Sequence, residues 1–262
     1  MRAPGFPLLA AWLSTQVLGA QTTPLTVKEI LARVQTNTGQ FERSLPDFVC
    51  DEKIDSQPIA HGVLAREAIA ESHFTGLQKQ NRRMTFTESR EFVAINGKPA
   101  GKGQPLRGVF LFGGGFSSLL DQTFSAKFAP VHDYRITGEE RFNDRAALVI
   151  EFATKPDQKL LQAAWKGTAM IQRDTGKAWI DLETLQVLRI ERRFLNLPRE
   201  WTGLVATVDY GPVSIDEKPF WMPLRVKADQ TTKRGPEEVY TAEYRNYRKF
   251  DVASGIVYEP VR

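Results

Sequence analysis

One cysteine, Cys50, stands among 262 residues, with three histidines and four methionines. A lone thiol cannot form an internal bridge, so a disulfide-stapled scaffold is excluded. His61, His73 and His132 have no spacing that sets two ligands on one helix or strand face, which argues against a metal centre. Charge of one sign is scarce too: 35 Lys and Arg meet 31 Asp and Glu, a formal balance of +4. That balance speaks against a nucleic-acid partner, which calls for a clustered basic face. Past the N-terminus no apolar run approaches the roughly 20 residues of a membrane helix. No Ser/Gly-rich or proline-rich stretch divides the chain, and no fixed-period repeat runs through it. The chain after residue 20 therefore reads as one domain, 21–262.

Catalytic patterns are missing as well. Gly113-Gly114-Gly115 is not followed by Gly-Lys-Ser/Thr, so it reads as a flexible loop and not as a phosphate cradle. No Gly-x-Ser-x-Gly elbow occurs, which weakens a lipase or esterase reading. The acidic neighbours Asp51 and Glu52, and Asp181 and Glu183, read as solvated, because a catalytic carboxylate pair is assembled from separate elements. Cys50 follows Phe48 and Val49 and reads as a small core residue. The run Tyr244-Arg245-Asn246-Tyr247-Arg248-Lys249-Phe250 reads as a strand with aromatic core positions. No catalytic residue, metal or cofactor is expected.

What the chain does have begins at its first residues. Arg2 precedes an apolar stretch from Phe6 to Leu18, then Gly19-Ala20 and the polar Gln21-Thr22-Thr23-Pro24. A positive start, a short apolar run and a small-residue exit form the layout of a secretory signal peptide, 1–20, cut near Ala20. Export, most simply to a periplasm, is the expectation.

Thr26 followed by Glu29 is a capping-box pattern, and Val27, Ile30, Leu31 and Val34 share one helical face, which predicts a helix from Val27 to near Phe41. Beyond Pro46 the period becomes two. Leu188, Ile190 and Phe194 oppose Arg189, Glu191 and Arg193; Leu224, Val226 and Ala228 oppose Arg225, Lys227 and Asp229; Tyr240, Ala242 and Tyr244 oppose Thr241, Glu243 and Arg245. Met84 and Phe86 alternate with Thr85 and Thr87, and Val93 and Ile95 lead into the hairpin signal Asn96-Gly97. Further turn signals lie at Thr137-Gly138, Asn143-Asp144, Asp174-Thr175-Gly176, Gly211-Pro212 and Gly235-Pro236. About ten antiparallel strands in a meander, apolar on one face and charged on the other, are expected. One helical insertion interrupts them: a glycine entry, a serine cap and an amphipathic helix bearing Phe116, Leu119, Leu120 and Phe124.

The segment Trp165-Lys166-Gly167 through Gly176-Lys177-Ala178-Trp179-Ile180-Asp181 to Arg189-Ile190-Glu191 resembles the hairpin of bacterial outer-membrane lipoprotein carrier and sorting proteins, the LolA/LolB-like superfamily. The N-terminal helix, the Asn96-Gly97-Lys98 hairpin, the helix around Leu119 and the opening Phe220-Trp221-Met222-Pro223 fit the same layout. The resemblance implies a mainly β fold with minor α content: a strongly curved antiparallel sheet, an incomplete β-barrel, covered by short helices. It also implies an apolar cavity that receives a lipid or a lipoprotein's acyl chains, and contact with an envelope membrane. This chain departs by its longer middle and by the lack of a lipidated cysteine after the signal.

Sixteen Phe are many for a sheet with one solvated face. A concave face too wide for its own side chains would leave an acyl-sized pocket. Phe110, Phe112, Leu119, Leu120, Trp179 and Trp221 are the residues expected to line or cover it. The competing readings are an envelope structural or interaction module with a filled core, and an exported hydrolase.

Overall fold

The computed structural model describes residues 25–60, 63–64, 66–78, 86–101, 111–113, 115–158, 160–165, 168–233 and 237–250. The signal segment 1–20, Met84, Phe110 and the Gly235-Pro236 turn lie outside them.

Helix α1 (Val27–Ser44) starts where the capping box places it. Thr26 N donates to Glu29 Oε2 at 2.8 Å and Glu29 N donates back to Thr26 Oγ1 at 3.3 Å, satisfying two otherwise orphaned backbone donors. Ile30 and Val34 bury the face the spacing predicts. The chain continues through β1 (Phe48–Ala60), β2 (Val63–Leu64), β3 (Ala68–Gln78), β4 (Phe86–Ile95) and β5 (Lys98–Pro99) to α2 (Gly115–Phe124). A 3-10 turn (Ala129–Val131) leads into β6 (His132–Phe142), β7 (Arg145–Thr154), β8 (Leu160–Trp165) and β9 (Thr168–Asp181). Then come β10 (Val187–Leu195), β11 (Trp201–Ile215), β12 (Lys218–Thr232) and β13 (Glu237–Lys249).

The strands form one antiparallel path, β5-β4-β3-β1-β13-β12-β11-β10-β9-β7-β6, with β2 on β1 and β8 on β9. The expected meander is present, in two runs joined where β1 pairs β13. The path does not close, because its described ends are β5 and β6.

Curvature follows from one helix reaching both ends of that path. Ser117 at the start of α2 is bound by Glu88 of β4, and Thr123 near its end is bound by Tyr134 of β6. Along the path β4 and β6 are nine strand spacings apart, roughly 43 Å at ~4.8 Å each. Ser117 and Thr123 are separated along the helix by only about 9 Å. The sheet therefore curls around α2 as an incomplete barrel, as expected.

Several local expectations are corrected. Asp174-Thr175-Gly176 lies inside β9 and Gly211-Pro212 inside β11, so neither is a turn. Thr137-Gly138 marks a register shift within β6 and not a strand end. The Ser117 cap is replaced by a tertiary one: Glu88 Oε1 accepts from Ser117 N at 3.2 Å and from Ser117 Oγ at 2.6 Å. Leu224 is exposed because the β11–β12 register shifts beside it, which takes it out of phase with Val226 and Ala228. Asn96-Gly97 and Asn143-Asp144 turn with positive φ as predicted, and Asp216-Glu217 (φ 53° and 62°) adds a third such turn.

Candidate functional site

Strand register places one uninterrupted aliphatic row across the inner face. From β4 to β6 its members are Ile95, Ala70, Ile54, Ala242, Val226, Val208, Ile190, Ala178, Ile150 and Ile136, each directly opposite the next. Directly opposed residues in antiparallel strands point to the same face. The eight central members, Ala70 to Ile150, are at most 1% exposed, so the row lies out of water.

Helix α2 lies over this row with Phe116, Leu119, Leu120 and Phe124 buried, the face read from sequence. Gly115 is required by close approach: a Cβ there would meet Phe112 Cδ1 at 2.7 Å and Val226 Cγ1 at 2.8 Å. Helix α1 docks beside α2 through Asn37, whose Nδ2 donates to Leu185 O at 3.0 Å in the turn between β9 and β10. Where the helices meet the sheet, a crevice of about 10 Å³ is lined by Val34, Thr38, Leu120, Leu185, Val187 and Trp221. That is room for about one water.

Two buried polar clusters flank the aliphatic row on opposite sides. On one side Glu52 accepts from Arg90 Nε at 2.8 Å and from Ser72 Oγ at 2.6 Å. On the other, Asp174 accepts from Arg192 Nε and from Thr154 Oγ1, and lies 3.0 Å from His132 Nε2. Arg192 Nη1 reaches up to α2 and donates to Gln122 Oε1 at 2.5 Å. Burial alone would raise the Asp174 carboxyl, but His132, Arg192 and Thr154 outweigh it and hold the group below the usual carboxylate range. Arg192 is pushed below its ordinary value by burial, which the Asp174 charge only partly offsets.

The second ring nitrogen of His132 faces Phe128 O at 3.3 Å, so both nitrogens already point at acceptors and neither is free as a general base. The Cys50 thiol is fully buried, as expected, and burial pushes it above its ordinary value, away from thiolate reactivity. Among the described residues no group of three or more His, Cys, Asp or Glu could hold a metal ion. Asp181 serves a turn: it accepts from Thr184 N at 2.7 Å and from Arg145 Nε at 2.5 Å. No described helix is long and apolar enough to cross a membrane.

Of the residues expected at a cavity, the structure brings Leu119, Leu120, Phe112 and Trp221 to the helix-covered side. Phe112 packs on the core, its ring centroid 6.4 Å from those of both Phe194 and Tyr240. Trp221 packs on the core and its indole N–H donates to Val187 O at 2.6 Å. Trp179 falls on the opposite, outer face in phase with Lys177, and its indole N–H donates to Glu140 Oε2 at 2.8 Å. That outer face is the solvated one: Arg135, Glu151 and Lys177 form an ion-pair ladder there. Two open grooves on it, about 530 and 330 Å³, have charged walls of mixed sign.

Sequence reading missed Arg192 and Arg90 and took His132 for an isolated histidine and Asp174 for a turn residue; the solvated reading of Glu52 and Asp181 is corrected, since both are 2% exposed and bonded to arginines. The available signal was phase: Arg192 lies between Ile190 and Phe194 at the same parity, and Glu52 between Cys50 and Ile54.

No protein-family model matches the chain, and no curated protein matches it. The chain is similar to several solved structures at low identity. A DUF1329 family protein from Desulfovibrio piger aligns with TM-score 0.43 and 13% identity over 88% of this chain and 94% of that one. A domain described as a putative outer membrane lipoprotein-sorting protein from Vibrio parahaemolyticus gives 0.43 and 12% over 86% and 93%. A LolA superfamily protein from Nitrosomonas europaea gives 0.39 and 13% over 87% and 96%.

Proposed function

We propose that this is an exported envelope protein that holds a lipid, or the acyl chains of a partner, against the inner face of its half-barrel without covalent chemistry. The observation that carries the reading is the aliphatic row from Ile95 to Ile136, ten strands wide and unbroken by a polar side chain. A globular core needs apolar positions, but not a continuous track across ten strands with one buried ion pair on each side of it. Such a track suits a long apolar chain, retained by roughly 0.8 kcal/mol per buried CH₂.

Among the described residues the crevice between α1, α2 and the sheet is only about 10 Å³, so a ligand entering there needs α2 to move. The helix is held by its buried apolar face, Phe116, Leu119, Leu120 and Phe124, and by a few discrete polar contacts, Glu88 at its start and Arg192 and Tyr134 near its end; a bound apolar chain would replace the first. The polar contacts can be exchanged for water without dismantling the sheet. Export rests on the layout of residues 1–20, and envelope-membrane contact belongs to the same proposal.

The small crevice also favours a second reading, an interaction module whose core is simply filled. Titrating the mature chain from Gln21 with a fluorescent fatty-acid analogue separates the two. Saturable uptake that slows hydrogen exchange in the central strands supports the holding function; no uptake leaves the filled module.

A further inference from the structure

Phe112 occupies a gap in the inner face that the sheet's own side chains do not fill. Next to the aliphatic row runs a second inward row: Phe152, Gly176, Arg192, Ala206, Ala228, Tyr240 and Ser56, each opposite the next. Its centre is two alanines, set between the long side chains of Arg192 and Tyr240. Phe194 on β10 and Tyr240 on β13 are three strand spacings apart, roughly 14 Å. The Phe112 ring stands 6.4 Å from each, so it bridges β11 and β12 over that floor.

Polar atoms at the edge of the same gap lack partners among the described residues. Arg192 is fully buried, yet its Nη2 is unbonded, while Nε and Nη1 are used by Asp174 and Gln122. Gln230, two residues beyond Ala228 on the same face of β12 and 6% exposed, has a buried and unbonded Oε1. A buried donor left without an acceptor is costly, and so is the converse. Phe112 itself, an apolar ring, satisfies neither. It lies beside Gly113, where an added Cβ would meet nothing within 4 Å, so the chain there has room to turn.

We propose that Phe112 is a built-in plug over a ligand slot floored by Ala206 and Ala228, displaced by an uncharged acyl ester or amide. The ligand's carbonyl takes the free N–H of Arg192 and its hydroxyl or N–H faces Gln230 Oε1, while its chain follows the aliphatic row. This rests on the holding function proposed above and specifies its ligand. A neutral head group fits better than a carboxylate: the Arg192 charge is already paired with Asp174, and Gln230 Oε1 repels an anion.

The test uses the mature chain, monooleoylglycerol as the neutral probe and oleate as the charged one, with binding read by native mass spectrometry. The wild type should prefer monooleoylglycerol. Phe112→Ala, which removes the plug, should tighten binding by on the order of tenfold. Ala228→Phe, which fills the slot permanently, should lose it while circular dichroism reports an intact sheet. Ala206→Leu is the second filler should Ala228→Phe fail to fold. Unchanged binding by the filler variants, or by Phe112→Ala, overturns the slot and leaves the holding function standing. Binding of neither probe by wild type or Phe112→Ala overturns the holding function itself.

Discussion

Arg192 Nη1 donates to Gln122 Oε1 at 2.5 Å, tying the middle of β10 to the helix that covers it. Because the donor is charged and buried, this bond is among the strongest that hold α2 down. Gln122→Ala should speed amide exchange across Ser118–Phe124 and cost about 1.5–3 kcal/mol in urea unfolding. Unchanged exchange in α2 would show that the helix is held by its apolar face alone.

Asp174 carries the charge that balances Arg192 within the sheet and also faces His132 Nε2 at 3.0 Å, with its side chain fully buried. Asp174→Asn keeps the shape but strands the guanidinium, and a loss of about 3–5 kcal/mol is expected. A loss below about 1 kcal/mol would mean that the cluster is hydrated in solution.

Gly176 lies directly opposite Phe152, whose ring covers it, and a Cβ there would meet both the ring and the Glu191 carbonyl. Gly176→Ala should therefore lower stability by about 1–3 kcal/mol. Gly113→Ala is the control, since a Cβ there meets nothing within 4 Å, and its change should stay within about 0.5 kcal/mol. Equal melting temperatures for the two variants would remove the steric account of Gly176.

Hydrogen bonding from Arg145, opposed by burial and helped by Thr184, lowers the Asp181 carboxyl from 3.8 to about 2. A folded-state value below the unfolded one stabilises at higher pH: the contribution is complete above pH 3.8 and disappears as pH falls through about 2. Allowing for solvent at Arg145, it amounts to about 1 kcal/mol. Asp181→Asn should lower stability by that amount at pH 6 and by well under half of it at pH 2, where the folded carboxyl is about half protonated, read by denaturant midpoints at both values.

The long-range architecture was legible wherever a local rule controlled it. The Thr26–Glu29 box and the spacing of Ile30 and Val34 start and orient α1 without help from the rest of the molecule. The Asn96-Gly97 hairpin likewise follows from two residues that tolerate positive φ. The apolar face of α2 was readable from Phe116, Leu119, Leu120 and Phe124.

What failed did so because distant partners redefined local signals. Asp174 and Gly176 look like turn residues, but one is an acceptor for three side chains from other strands and the other leaves room for Phe152. Gly211 likewise sits within β11 because the Leu224 side chain approaches it closely. Trp179 is expected at the pocket from its inferred position, whereas its parity with Lys177 puts it outside. Strand parity would also have exposed the charged residues of the inner face, but pairing His132 with Asp174 needs a register that no local pattern supplies.

The central claim is that the inner face holds an apolar ligand, and native mass spectrometry of the chain expressed with its own first 20 residues tests it most directly. A mature mass with one bound lipid per chain, released by collisional activation and recoverable by solvent extraction, is expected. A lipid-free mass that stays unchanged after incubation with monooleoylglycerol and with oleate would contradict it.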